Sequence, residues 1–262
     1  MNGDPLLIQP EGARFIALGS AGAIFLETNG TVIKTAIKHD VRGCSEHVIE
    51  HTRYLESISE QCIDREKAIY KILPKHPRIL DCLDTKQDSL HFAYHRLGNL
   101  RGYLQHNAID SHTQDRWVGD AIESIALIHA HGVIHADISP RNFLVADDLS
   151  LVLCDFAGSI TGELQALVEE EDRYRLSPLA PRSYQTDLFA LGCLIYEICT
   201  GSRPYEEIVD TEKVAQMYKA QIFPGLNGLR YQGLIYKCWT SQYSGVDALR
   251  GDYRRTVHIA GE

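Results

Sequence analysis

The chain has 262 residues, enough for one large domain or for two lobes sharing a cleft. Its 44% hydrophobic and 23% charged residues make a globular composition, which excludes disorder as the default. A formal charge of −9 argues against a nucleic-acid or anionic-membrane partner, since both are bound through basic surface.

In chain order, residues 1–10 lack a basic start followed by a long apolar run, so no secretory signal is expected. Strands are predicted at Arg14–Leu18 and 23–27, on either side of a turn of small residues. Asn29-Gly30 is a two-residue hairpin signal leading into a third strand over 31–37. The polar stretch 38–60 reads as a solvated insertion. Ile63, Ala68, Ile69 and Ile72-Leu73 then give the apolar face of a helix that Pro74 and Pro77 stop. Short strands are predicted at 79–84 and 89–95, and Leu97-Gly98-Asn99 reads as a hinge. Beyond it helical spacing dominates, at 100–105, 114–130, 187–200, 211–220 and 233–240. Strands followed by helices predict an α+β architecture, and a cleft between lobes favours a cofactor.

Seven cysteines with no Cys-x-x-Cys pair read as free thiols in a reducing compartment. The longest apolar stretch, 188–199, is interrupted by Glu197 and too short to span a bilayer. The expected setting is intracellular, cytoplasmic or nuclear, and not secreted.

Leu18-Gly19-Ser20-Ala21-Gly22-Ala23-Ile24 lies between two strands, whereas a dinucleotide fingerprint needs a helix after its glycines. A hairpin of small residues can lay backbone N–H groups over phosphates; a plain hairpin is the competing reading. Lys34 follows on the next strand, two residues after Val32, and can reach under such a loop, although an exposed lysine is the commoner case. Glu66, in the following helix, could hold Lys34 as an ion pair if that helix packs beside the strand; a solvated carboxylate in the charged run Asp64-Arg65-Glu66-Lys67 is the competing reading.

His135-Ala136-Asp137-Ile138-Ser139-Pro140-Arg141-Asn142 sets a carboxylate and an amide five residues apart. Thirteen residues after Asn142, an apolar strand ends in Asp155. One carboxylate can take or orient a hydroxyl proton, while the later aspartate and the asparagine can share Mg²⁺. His129, His131 and His135 straddle a helix end and a loop, which makes a poor coordination set.

These segments resemble those of the protein kinases. Residues 135–142 resemble the loop His-Arg-Asp-x-x-x-x-Asn, and Asp155-Phe156-Ala157 resembles the Asp-Phe-Gly magnesium motif. Residues 17–24 resemble the Gly-rich loop with Ala17 in place of its first glycine. Thr31-Val32-Ile33-Lys34 resembles the Val-Ala-Ile-Lys strand, and Glu66-Lys67-Ala68-Ile69-Tyr70 the helix with the paired glutamate. Residues 183–192 resemble the long helix whose Asp187 braces the catalytic loop, and Cys238-Trp239 a late landmark. The resemblance spans about 14–243 and looks most like small single-domain kinase-like proteins of fungi.

It implies an α+β, bilobal protein-kinase fold, with a small β-rich N-lobe carrying one main helix and a larger, mainly α-helical C-lobe. The lobes would occupy about 12–95 and 100–262, with a hinge at about 93–99. It also implies ATP and Mg²⁺ as cofactors and an unidentified protein as substrate, with serine or threonine favoured over tyrosine. Asp137, Lys34, Glu66 and Arg141 would be catalytic. Leu18, Gly19, Ser20, Gly22, Ile24, Val32, Lys34, Ala93, Tyr94, His95 and Leu144 would bind ATP, and Asn142 and Asp155 the metal. A pseudokinase acting as a binding module, and a small-molecule kinase of the aminoglycoside or choline type, are the alternatives.

Several positions depart from the pattern. Ala136 replaces the arginine that pairs with a phosphorylated activation segment, so no such phosphorylation is expected to be required, whether at Ser159, Thr161, Tyr174, Ser177 or Tyr184. Ser139 replaces a lysine, and Arg141 is placed to supply the missing charge. Ala157 replaces a glycine, and the Cβ is expected to restrict the motif. No Ala-Pro-Glu follows, Arg182-Ser183-Tyr184 standing near its place. The arginine that would pair with that glutamate is also missing.

Overall fold

A computed structural model describes residues 4–19, 21–86, 88–162, 164–177 and 180–259. The chain divides into two compact units, one built from residues up to His76 with Leu80–Tyr94 and Asp155–Ser159, the other from the remainder.

In the first unit, β2 (Arg14–Leu18), β3 (Ala23–Leu26) and β4 (Thr31–Thr35) follow a short β1 (Leu6–Leu7), which pairs with β5 (His39–Asp40). After α1 (Glu46–Ile72) come β6 (Cys82–Lys86) and β7 (Ser89–Ala93). The main sheet is antiparallel, in the order β2-β3-β4-β7-β6. Register puts Ile24 opposite Lys34 and Ala17 opposite Ile24, while Val32 lies opposite Phe92. Since alternate residues share a face, Ala17, Ile24, Val32 and Lys34 line one side of the sheet. On the other side Ala23 and Phe25 pack with Ala13 and Leu7.

Three expectations are corrected here. Residues 46–60 are no solvated insertion but the first half of a 27-residue helix. Its buried side chains, Thr52, Ser59, Cys62, Ile63, Glu66 and Ile69, recur every three, four or seven positions along one stripe. That stripe is half polar, so hydropathy alone does not reveal it. The helix ends where Leu73 turns extended ahead of Pro74. The strand expected at 79–84 forms instead at Cys82–Lys86, and the one expected over 31–37 stops at Thr35.

The second unit opens with α2 (Leu100–His106), capped by Asn99, whose side chain accepts from Gly102 N–H at 2.9 Å. Asp110 accepts from Thr113 N–H at 2.7 Å and so starts α3 (Ser111–Ala130) a turn earlier than hydropathy predicts. Short strands β8 (Val133–Ile134), β9 (Phe143–Val145), β10 (Leu151–Leu153) and β11 (Ile160–Thr161) form two antiparallel pairs, β8 with β11 and β9 with β10.

Next come α4 (Tyr184–Thr200), α5 (Thr211–Lys219), α6 (Gln232–Trp239) and α7 (Val246–Ile259). Helix α4 is buried nearly all round, as a core helix of an α-rich unit must be. It lies so close to α6 that a Cβ on Gly192 would meet Cys238 Cβ at 2.6 Å. Trp239, fully buried, donates its indole N–H to Cys193 Sγ at 3.1 Å, and Trp117, equally buried on α3, donates to Leu149 O at 2.7 Å. Helix α7 has no counterpart among the predicted helices. Its Tyr253 donates to Asp115 O at 2.8 Å and comes close enough that a Cβ on Gly119 would lie 2.5 Å from its hydroxyl. Among the described residues no helix is long and apolar enough to cross a membrane.

Candidate active-site residues

In the first unit, β4 delivers Lys34 with its Nζ 2.6 Å from Glu66 Oε2 and 2.7 Å from Asp155 Oδ1. Lys34 and Glu66 are both buried. Burial opposes the charge on Lys34, but the Asp155 and Glu66 carboxylates outweigh it and raise its pKa above the ordinary lysine value. Burial pushes the Glu66 carboxyl up, against the pull of Lys34. Removing either partner strands a buried charge, a loss of about 3–5 kcal/mol in comparable pairs.

Glu66 also accepts from Phe156 N–H at 3.2 Å through its other oxygen. Asp155 has φ +65°, in the left-handed region that aspartate tolerates better than most side chains. Phe156 is fully buried, edge-on to Tyr70 at 5.3 Å. Arg65 Nη1 donates to Ser159 O at 2.6 Å, fixing the same segment to α1. Ala157 is buried and is not among the left-handed residues, so its Cβ is accommodated where the family has glycine.

The loop between β2 and β3 closes through Gly19 N–H to Gly22 O at 2.9 Å. Gly22 lies against β4, where a Cβ would come within 2.7 Å of Thr35 O and 3.6 Å of Lys34 Cε. Only glycine fits there, because the close atom is backbone. Ser20 lies outside the described residues. Ile24 and Val32 are half-buried on the Lys34 face, whereas Leu18, opposite Ala23, falls on the other face and is exposed. Ala93 and Tyr94 are exposed at the end of β7.

In the second unit, Asn142 Nδ2 donates to Asp137 O at 2.7 Å and to Asp137 Oδ2 at 3.0 Å, orienting that carboxylate. Asp187, on the first turn of α4, accepts from His135 N–H at 2.8 Å and Ala136 N–H at 3.0 Å, and His129 Nε2 lies 2.8 Å away. Ala136 has φ +63°, a conformation costing a residue with a Cβ roughly 1–2 kcal/mol. The two bonds to Asp187 hold it there.

The histidine trio serves structure. His135 is buried with Nε2 3.2 Å from Cys154 O, and His131 Nδ1 bonds Leu127 O at 2.8 Å. Ser139 is fully buried. Arg141 is half exposed, its Nε 3.4 Å from Glu171. Leu144, on β9, is half-buried; His95 is also half-buried, and its pKa is lowered by that burial.

Sequence reasoning missed the groups that hold the segment after β11. Arg101 Nη1 donates to both Glu171 oxygens at 2.8 Å and reaches Glu197 through Nε at 3.0 Å. Arg203 Nη1 adds a bond to Glu171 at 3.2 Å, and Tyr174 OH donates to Glu197. Glu170, itself buried, pairs with Arg182 at 3.1 Å, while Arg175 bonds Glu169 at 3.0 Å and Asp172 at 2.9 Å. Every carboxylate of the run Glu169-Glu170-Glu171-Asp172 thus meets an arginine. The partners lie 3 to 70 positions apart, so only the acidic run itself was visible locally.

The model of the protein kinase domain matches residues 27–232, and the chain belongs to that family. It is 25% identical over 168 residues to the serine/threonine-protein kinase PDK1 of Cryptococcus neoformans var. grubii, covering 57% of this chain and 14% of that protein. It is 25% identical over 191 residues to the serine/threonine-protein kinase fused of Drosophila melanogaster, covering 67% and 23%. With the liver/testis gamma catalytic chain of human phosphorylase b kinase the identity is 26% over 168 residues, covering 58% and 41%. The chain therefore spans less than half the length of these relatives.

As a protein kinase domain, the chain is of a kind that uses ATP and Mg²⁺. Residues of each unit, taken separately, suit that chemistry: in the first, a loop where Gly22 admits no Cβ and a buried lysine held by carboxylates, and in the second, an asparagine bonded to an aspartate.

Proposed function

We propose that the chain is a serine/threonine protein kinase that passes the γ-phosphoryl group of Mg·ATP to a protein hydroxyl. The observation that carries this is Lys34 Nζ held between Glu66 and Asp155, which fixes a cation at the end of β4 beside the glycine loop. When bound, Mg·ATP supplies the transferable group and a divalent charge to neutralise its oxygens. The backbone of Gly19 and Gly22 and the ammonium of Lys34 would hold the phosphates, with Ile24, Val32 and Leu144 against the base. Asp155 and Asn142 would hold the metal. Asp137, steadied by Asn142, takes or orients the proton of the substrate hydroxyl. Arg141 supplies positive charge where Ser139, being buried, does not. The names of the relatives favour serine and threonine over tyrosine as acceptors. An intracellular setting belongs to the same proposal, supported by the seven thiols without paired spacing.

Independence of activation-segment phosphorylation is the finer part of the proposal. Its support is the arginine partner of each carboxylate in 169–172, an anchoring that elsewhere needs an added phosphate. Of the five hydroxyls in question, Ser159 and Tyr174 are fully buried, leaving Thr161, Ser177 and Tyr184.

The test is ADP release and phosphate transfer to generic protein substrates by phosphatase-treated wild type and by Lys34→Met, Asp137→Asn and Asp155→Asn. Wild-type turnover that falls by about 10²-fold or more in each variant is expected. Equal rates in all four proteins defeat the enzyme reading. Tight Mg·ATP binding without turnover assigns a binding module instead, and turnover lost on phosphatase treatment defeats phosphorylation independence.

A further inference from the structure

Helix α1 does more than present Glu66. On one face, at spacings of three and four, it carries Glu56, Ser59, Ile63 and Glu66. Glu56 Oε1 accepts from His39 N–H at 2.6 Å. One turn on, Ser59 Oγ accepts from Ile37 N–H at 2.8 Å and donates to Ala21 O at 2.9 Å. Ile63 Cδ1 lies 3.4 Å from the position a Cβ on Gly22 would take, and Glu66 closes the series on Lys34 at 2.6 Å. Successive turns thus grip the chain leaving β4, the tip of the glycine loop, and the lysine beneath it.

Ser59 is the member of this series that touches both the loop and the exit of β4. It is 1% exposed, and Ala21, whose carbonyl it holds, is 4% exposed. A hydroxyl has a single proton. With Ile37 N–H directed at its oxygen, that proton is committed to Ala21 O. Losing the hydroxyl leaves a carbonyl and an N–H without their protein partner in a setting where water has little access.

We propose that Ser59 is a positioning residue for the glycine loop, tying its tip to α1 two turns before Glu66, so that loop and phosphate-clamping lysine are held as one body. The proposal rests on the reading of residues 18–24 as the loop over the nucleotide phosphates. It implies that a buried helix residue with no path to the nucleotide sets nucleotide affinity, by fixing a loop that would otherwise move freely about Gly19 and Gly22.

The test is amide hydrogen exchange of residues 19–23 in the full chain without nucleotide, alongside Mg·ATP affinity and steady-state kinetics. Ser59→Ala is compared with wild type, and Ser59→Thr with Ser59→Val. The second pair is nearly isosteric and isolates the hydroxyl if Ser59→Ala folds poorly. Loop amides are expected to exchange roughly tenfold faster in Ser59→Ala than in wild type, and in Ser59→Val than in Ser59→Thr, with α4 amides unchanged. KM for ATP should rise several-fold while kcat stays within about twofold. Equal loop exchange and equal ATP affinity within both pairs overturn the role of Ser59 and leave the kinase reading intact. A wild type that protects the loop yet takes up no Mg·ATP overturns the phosphate reading, and the positioning role with it.

Discussion

Asp187 is the residue on which the catalytic loop hangs, since its two oxygens take the backbone N–H groups of His135 and Ala136. Those bonds hold a left-handed alanine directly before Asn142's partner, Asp137, in a fully buried setting. Asp187→Ala should therefore cost about 3–5 kcal/mol in urea denaturation, because two buried donors and His129 lose their acceptor. Turnover per folded molecule should fall with it, by more than Asp187→Asn, which keeps one oxygen. The Lys34–Glu66 pair and the bracing by Asp187 were legible because each of these residues sits inside a short run of family wording. The contacts of Arg101 and Arg203 with Glu171 were not, since they join residues 70 and 32 positions apart.

At the scale of elements, legibility followed hydropathy. Helix α4, apolar over most of its length, announced itself, whereas the first half of α1 did not. Its buried positions include Thr52 and Ser59, and a hydroxyl that is buried because it is hydrogen-bonded looks the same in sequence as one that is solvated. Helix α7 escaped for a related reason. Its Arg250, Arg254 and Arg255 pair with Asp247, Glu123 and Asp252, which disguises the Val246 and Leu249 side chains buried on its inner face. The contact of α4 with α6 makes a separate prediction. Gly192→Ala meets Cys238 Cβ, which is fixed to its own backbone, and the buried Trp239 ring rather than the far end of a flexible side chain, and should cost about 1–3 kcal/mol. Calorimetry should show a lower Tm, with KM for ATP unchanged because no nucleotide residue is displaced.

For the whole molecule, pH-dependence has a definite source in the segment after β11. Burial, helped by the facing Asp187 and Asp137 carboxylates, pushes the Glu170 carboxyl up to about 8 against the pull of Arg182 and Arg175. An unfolded glutamate releases its proton near 4.5. Between these values the folded chain keeps a proton the unfolded chain has lost, so this contribution is fully present below 4.5 and is lost as pH rises through 8. The slope is at most about 1.4 kcal/mol per pH unit. Urea midpoints across that window should fall with pH in wild type and fall less in Glu170→Gln, which stays neutral. Midpoints that move in parallel would contradict the assignment.

The two tryptophans, Trp117 and Trp239, are the chain's complete set, and both are buried in the helical unit. Intrinsic indole emission is therefore a private optical channel for that unit, blind to the sheet that carries Lys34. Setting an emission curve beside the circular dichroism of the whole chain, in the same titration, tells whether the strand-rich unit melts in step with its neighbour or alone. No label or engineered probe is needed.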